Sequence, residues 1–531
     1  MRLQTVWPWF LGSVLLTSLT VPAQALPDSI EAAGIDARRL HDPPYNLTGR
    51  KISLGQVEVG RPGRFGLDKP FSSMLQGLNV AGVFLRDRPT KISAHLDSHA
   101  VMVATVMISP DKRLRGVAPE ARLYAAAIGS LRSAGQPEEC LAAQNIAEQN
   151  GGDVRAINFS FGEPLRRDPR PNPTLDGNAL LTLCIDWSAR VHDTLYFIAG
   201  NQGRGGIPIP TDNYNGVNVA ASVRRDGTFS KLDFSNLSTV PEGVGRTTIL
   251  REINDDGRRS IDLVAPGSGI EVYGLDGRPT PVWGTSFAAP HATATVALLQ
   301  ELSDRALAQG LRNWSLEARR SEVMRAVLLN SADKLADASD GRFLGMTRTL
   351  RSKSDGTWLD GQAARDPRTP LDIEIGAGHL NAYRAYQQFA AGQWGPQAPV
   401  PARGWNYGTI TVGESQDYVF AEPLQGGSFA ALTLTWHRHV ELVDANGNQR
   451  YDLGEQFRDR GVNRLQLYLM PADGDSAIAS TCASTSSVDN LQHIFCPVPA
   501  TGRYKLRVEY RQQVHEPQQA YGLAWWTQPA N

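Results

Sequence analysis

Two short stretches hold residue types that can carry bond-breaking chemistry. In GTSFAAPHATATVALLQEL, residues 284–302, Ser286 stands at the start of a long helix-period run. A hydroxyl placed there lies beside free backbone N–H groups and the positive end of the peptide dipoles, which stabilise an oxyanion as it develops. Without context the same serine is an N-cap, the commoner fate of such a residue. Pro290 fits near the first turn and would bend the helix. In KISLGQVEVGRPGRFG, residues 51–66, apolar positions alternate up to Val57, Glu58 follows, and Gly60, Pro62 and Gly63 break the pattern. That describes a strand ending in a tight loop, with one carboxylate at its carboxyl end. Alone, such a carboxylate is an ordinary solvated charge.

Those residues need a scaffold, and the chain supplies one. From about residue 50 to 385, short apolar runs such as VRAINFSFG (154–162), DTLYFIAGN (193–201) and GVNVAASV (216–223) alternate with helix-period segments such as VMRAVLLNSADKL (323–335). Near-continuous apolar strands interleaved with helices predict a parallel sheet covered on both faces, an α/β fold. Ligands on such sheets bind beyond the carboxyl ends of the strands, where Glu58 and Asn201 are both expected. The composition changes at GQWGPQAPVPARGW, and 392–405 is expected to be a Pro/Gly-rich linker. It divides a domain at 26–391 from one at 406–531, where period-two runs such as FAALTLTWHR and GRYKLRVEYR predict a smaller antiparallel β-sandwich.

At 531 residues the chain is too long for a single core. Its net charge of -1 gives no electrostatic reason to expect nucleic acid as a partner. Arg2 precedes the apolar run WPWFLGSVLLTSLTV, and Ala23-Gln24-Ala25 makes a small-x-small cleavage signature, so residues 1–25 are expected to be a signal peptide. The mature protein, starting at Leu26, would be exported, secreted or periplasmic, without a membrane span. Export permits disulfides, and the spacing of the four cysteines favours Cys140–Cys184 and Cys482–Cys496 among three possible pairings. No Cys/His cluster has zinc-ligand spacing. Oligomeric state is not legible.

GTSFAAPH resembles the nucleophile motif of the subtilisin-like serine proteases, and the family's other landmarks follow in order. DSHAVMVATVM (97–107) looks like its histidine helix, RGVAPEARLYAAAI (115–128) like the segment after it, and INFSFG (157–162) like its substrate-binding strand. FIAGNQG (197–203) looks like the oxyanion-hole segment; DLVAPG (262–267) and GAGHLNAYRA (376–385) resemble later landmarks. The resemblance implies a serine endopeptidase in which Ser286 is the nucleophile, His99 the general base and Asn201 an oxyanion donor. Glu58 falls where the family usually has aspartate, EVG replacing Asp-Ser-Gly, and is expected to orient His99. His95, without the flanking match, is expected to be a bystander. The serine-carboxyl peptidases (sedolisins) share a similar serine motif and a glutamate base, but they carry an acid where Asn201 stands and have no need of His99. Further departures are Ala100, where the family has glycine, and Met102 in place of its second histidine. Only residues 26–57 separate the expected mature start from Glu58, too few for the folded propeptide many relatives use.

The same resemblance places Ser160, Phe161 and Gly162, with Ile198, Ala199 and Gly200, along the groove for a protein or peptide substrate. Glu163, next in line, either favours a basic side chain near the cleavage point or is a plain loop charge. The chemistry requires no cofactor. In DANGNQRYDLGE, Asp444, Asn446, Asn448, Asp452 and Glu455 imitate positions 1, 3, 5, 9 and 12 of a calcium loop, with Gln449 where glycine is expected. Asn446-Gly447 is equally a hairpin turn that needs no metal, so a structural calcium ion and a bare turn both stay open. The rival to an active enzyme is a non-catalytic binding protein on the same scaffold, a reading prompted by Glu58, the altered HAVM segment and the short pre-strand region.

Overall fold

The structure is a computed structural model that describes residues 26–68, 73–130, 134–200, 209–225, 227–232 and 252–530. The expected signal peptide and Asn201 lie outside the described residues. Six parallel strands lie side by side in the order Val80–Leu85, Arg122–Ala127, Ser53–Glu58, Val154–Phe159, Leu195–Ala199 and Val217–Arg225. Shorter strands extend the sheet at both edges, and Leu263–Pro266 pairs in parallel with Val217–Arg225. Ser53–Glu58 is first in the chain but third among these six, because later strands add on both of its sides. The winding therefore reverses there, and in an open parallel sheet the crevice at such a reversal is where ligands bind.

All six residues of Ser53–Glu58 are buried, as expected for a strand with helices on both faces. One face is covered by helices Ser98–Ile108, Thr285–Ala308 and Ser321–Asn330, whose Val103, Leu298 and Val327 share a core with Leu54 and Leu123. Helices Gln136–Ala147 and Leu180–His192 cover the other, packing Ile146 and Ile185 on Val57 and Ile157. Residues just after the expected cleavage point belong to the same body: Ile30, Ile35 and Leu40 are fully buried in the first core.

The C-terminal part is a sandwich of two four-stranded sheets. One holds Arg403–Thr411, Gln518–Trp526, Phe429–Thr435 and Leu491–Pro497; the other holds Ser415–Val419, Tyr504–Gln512, Arg464–Pro471 and Ala483–Ser484. Its first strand opens at Arg403, inside the stretch expected to be linker, because Trp405 is fully buried and its indole N–H donates to the Phe389 carbonyl at 2.9 Å. Helix Ser321–Asn330 packs directly on strands Phe429–Thr435 and Gln518–Trp526, so the two domains share a broad interface. Both expected disulfides are closed, Cys140–Cys184 between the two helices of the second face and Cys482–Cys496 inside the sandwich. No helix among the described residues is long and apolar enough to cross a membrane.

Candidate active site

Glu58 ends the central strand with its side chain 2% exposed, and His99 opens the helix Ser98–Ile108 with its ring 40% exposed. Two local devices bring them together. Asp97, in extended conformation, caps the histidine helix by accepting from the Ala100 N–H at 2.9 Å, one of the donors a helix start leaves free. The loop leaving Glu58 is sewn to the loop entering that helix: the Arg61 N–H donates to the His95 carbonyl at 2.8 Å and the Asp97 N–H to the Arg61 carbonyl at 3.0 Å. The Arg61 guanidinium, fully buried, grips Asp68 through two bonds of 2.8 Å, while Asp68 also accepts from the Ser93 N–H at 2.8 Å. A buried bidentate pair with its remaining sites filled holds geometry, because losing either partner would strand a charge. Gly60 is needed here: a Cβ on it would lie 2.2 Å from the Asp97 Cβ.

The result is a contact of 3.2 Å between His99 Nδ1 and Glu58 Oε2. With a carboxylate as partner Nδ1 carries the proton, which leaves the Nε2 lone pair for chemistry. Burial alone would pull the imidazole down; the charge and hydrogen bond of Glu58, joined by the Asp97 charge, outweigh it and hold His99 above its ordinary value. The other oxygen, Glu58 Oε1, is buried without a hydrogen-bond partner among the described residues.

Ser286 lies in the first turn of Thr285–Ala308, entered through Gly284 at φ 141°, a conformation that favours glycine. Its Oγ donates to the Ser160 carbonyl at 3.1 Å, and the Ser160 hydroxyl donates to the Ser286 carbonyl at 2.8 Å. Asn158 steadies Ser160, its Nδ2 donating to Ser160 Oγ at 2.8 Å. The turn that carries Ser286, the expected nucleophile, is thus stapled to the segment expected to bind substrate. Phe287, the residue after Ser286, packs against the His99 ring with centroids 5.5 Å apart.

The expected groove residues divide. Ser160 faces the Ser286 turn, whereas Phe161 stacks on Phe159 at 5.1 Å and the Ile198 side chain is fully buried in the second core. Gly162 is buried, Ala199 half-buried, and the Gly200 N–H donates to the Val219 carbonyl at 2.9 Å. His95 is exposed, apart from the pair. Glu163 is no solvated loop charge: it is 1% exposed, ion-paired to Arg167 at 2.7 Å and next to the fully buried Glu139. Burial pushes both carboxyls up, Glu139 further. Its cation is already internal, which removes the reason to expect it to attract a basic substrate side chain.

The loop 444–455 hangs from the hairpin His439–Val443 and Gln456–Gly461. Asp444 accepts from the Gly447 and Gln449 N–H groups at 2.7 Å each, Asn446 and Asn448 both donate to Asp452 Oδ2 at 2.8 Å, and Glu455 accepts from the Ala445 and Asp452 N–H groups. Gln449 takes φ 61°, the conformation for which a calcium loop has glycine. Among the described residues no three His, Cys, Asp or Glu side chains gather as a metal cage, and the Asn446 and Asn448 amides turn N–H donors toward Asp452.

Sequence reasoning missed the Arg61–Asp68 clamp, the Ser160–Ser286 staple and the bond from Ser29 Oγ to His291 Nε2 at 2.9 Å. The last two join residues far apart in the chain, and the first is a loop pairing with no sequence periodicity to announce it.

Comparison with known proteins follows the same line. The subtilase family model (peptidase S8) matches residues 81–347, a span that includes His99 and Ser286 but starts after Glu58. The major intracellular serine protease of Bacillus subtilis (strain 168) is 24% identical over 247 residues, 45% of this chain and 66% of that protein. Two of the solved structures that match are proteases. The prenylagaramide maturation protease PagA has 19% identity and TM-score 0.42, covering 66% of this chain and 97% of its own; the S41 psychrophilic protease has 20% identity and TM-score 0.39, covering 63% and 92%. Neither superposition is close enough to weigh on the fold.

Proposed function

This chain belongs to the subtilase family, and from that premise we propose that it is an exported serine endopeptidase working through an acyl-enzyme on Ser286. The observation that carries the reading is the 3.2 Å contact between His99 Nδ1 and Glu58, which suits an imidazole whose Nε2 is free to take a proton, beside the helix that carries Ser286. Ser286 Oγ leaves the Ser160 carbonyl, turns toward His99 and attacks the scissile carbonyl carbon while its proton passes to Nε2. The oxyanion is met by N–H groups at the helix start and, by family resemblance, by Asn201. The C–N bond then breaks as His99 returns the proton to the leaving amine. Water, deprotonated by the same nitrogen, hydrolyses the ester and restores the serine. Glu58 stays ionised throughout, holding Nδ1–H and stabilising the imidazolium. Glutamate is one methylene longer than the family's aspartate, and its position at the last residue of the strand leaves the carboxylate at hydrogen-bond length. The two closed disulfides support an oxidising destination.

A second reading, a non-catalytic binding protein, draws on Ser286 Oγ resting on the Ser160 carbonyl rather than on His99. The deciding experiment is labelling of the purified protein by a serine-reactive phosphonate, followed by intact mass, with His99→Ala as control. Near-stoichiometric labelling lost in the variant supports the enzyme. No labelling of folded protein moves the weight to the binding reading.

A further inference from the structure

We propose that Arg438, in the β-sandwich domain, is a positioning residue for the peptidase site, so that the sandwich works as a clamp on the wall of the peptide cleft. The inference rests on reading that site as a subtilase active site. Arg438 lies in the turn between strands Phe429–Thr435 and His439–Val443, and its side chain is 2% exposed. Five of its bonds reach into the peptidase domain, one of them from Nη2 to Asn178 Oδ1 at 3.0 Å. Nη1 donates to the Gly177 carbonyl at 2.7 Å and to Asp186 Oδ2 at 3.1 Å; the backbone N–H donates to Asn215 Oδ1 at 2.8 Å; and the backbone carbonyl accepts from Asn215 Nδ2 at 3.1 Å. The guanidinium also lies over the Tyr214 ring, 4.6 Å from its centroid. Within the sandwich, Nε donates to Asp459 Oδ1 at 2.9 Å.

Asp186 makes this more than an interface contact. It is fully buried, and its second oxygen accepts from two successive backbone amides, Tyr214 at 2.9 Å and Asn215 at 2.8 Å. One carboxylate therefore ties the sandwich cation to the segment 209–216. Without Arg438 that carboxylate would be a buried charge without its cation, and the amides it holds would lose a firm acceptor. Lysine cannot substitute, since a point charge cannot reach Gly177, Asp186 and Asp459 together. A second sandwich residue grips the same place, Asn490 Nδ2 donating to Asn215 Oδ1 at 3.0 Å.

At its other end the segment reaches the site. Ile209 and Glu163 exchange backbone hydrogen bonds of 2.9 and 3.1 Å, and Glu163 directly follows Ser160–Gly162, the stretch after strand Val154–Phe159 whose Ser160 is stapled to Ser286. A run of hydrogen bonds and chain connections thus leads from the sandwich through Asp186 and 209–216 to the Ser286 turn. A path of contacts establishes coupling only when perturbing one end is felt at the other.

The test uses the full-length protein with Arg438→Met and, in case that variant does not fold, Arg438→Lys, which keeps the charge and loses the fork. Arg507→Met is the control, because Arg507 pairs with Asp417 inside the sandwich. Two readouts are taken. Amide hydrogen exchange over 209–217 is expected to speed up about 10-fold or more in either Arg438 variant and to stay unchanged in the control. In kcat/KM, cleavage of an extended peptide is expected to fall about 10-fold further than cleavage of a small nitrophenyl ester, which barely occupies the cleft. A role in folding alone would lower both substrates equally. Unchanged exchange at 209–217 together with an unchanged peptide-to-ester ratio overturns the clamp. If wild-type protein takes up no phosphonate, the peptidase reading fails, while the exchange arm still decides whether Arg438 holds the segment.

Discussion

His99 and His291 are the same side chain on neighbouring helices, and they are poised in opposite directions. His291 lies five residues beyond Ser286 on the nucleophile helix, fully buried, with Nδ1 donating to the Phe287 carbonyl at 2.7 Å and Nε2 accepting from the Ser29 hydroxyl at 2.9 Å. Burial pushes it down to about 4, and one carbonyl cannot offset that. His99 also suffers burial, yet it is held above its ordinary value because its Nδ1 partner is a carboxylate. A neutral acceptor orients an imidazole and stabilises its cation weakly; a charged one stabilises the cation enough to outweigh burial. Closeness to the helix that carries Ser286 therefore does not set an imidazole's proton affinity, whereas the partner on Nδ1 does.

The contrast between the two histidines has its largest expected effect at the proposed nucleophile and base. Ser286→Ala and His99→Ala are each expected to lower kcat by about 10⁵- to 10⁶-fold, read with a fluorogenic peptide, while His291 variants that fold stay active. Glu58→Gln sharpens it: kcat is expected to fall about 10³- to 10⁴-fold. The acid limb of the kcat/KM profile should also move. Glu58 raises His99 and burial lowers it, so removing the charge sends the limb to lower pH; a limb that stays in place would mean another group orients His99.

The buried partner predicts a stability effect instead. His291 is neutral in the fold, so its contribution is complete above the ordinary value of 6.5 and is lost as pH falls toward about 4. A shift of that size corresponds to about 3 kcal/mol, visible as a falling urea midpoint over that window. Smallest of all, Ser29→Ala removes one buried hydrogen bond and is expected to cost about 1 kcal/mol in a urea titration, with kcat within about twofold of wild type.

Much of the site was legible because its chemistry is written in contiguous strings. Ser286 announces itself through a helix start after Gly284, His99 through the capped helix after Asp97, and Glu58 through a strand that runs into breakers. The substrate strand was legible as a string, but which of its residues turn inward was not: Phe161 and Ile198 belong to a core that lies between a sheet and helices from distant parts of the chain. Glu163 differs from both expectations because it is buried beside Glu139, 24 positions earlier, and the sequence around it does not announce that burial.

The sequence by itself determined the alternation that builds the parallel sheet and the all-β character of the C-terminal quarter, favoured the cysteine pairing that the structure closes, and named the candidate reacting groups. These are properties of local periodicity, spacing and functional-group chemistry, which act over a few residues or a short motif. The tertiary structure alone decided that Arg61 and Asp68 lock the Glu58 loop to the histidine helix, that Ser160 staples the nucleophile turn, and that the sandwich reaches Asp186 through Arg438. Those pairs are 7, 126 and 252 positions apart in sequence. Their strength comes from the exclusion of water around charges and amides, a condition that exists only once the chain has packed.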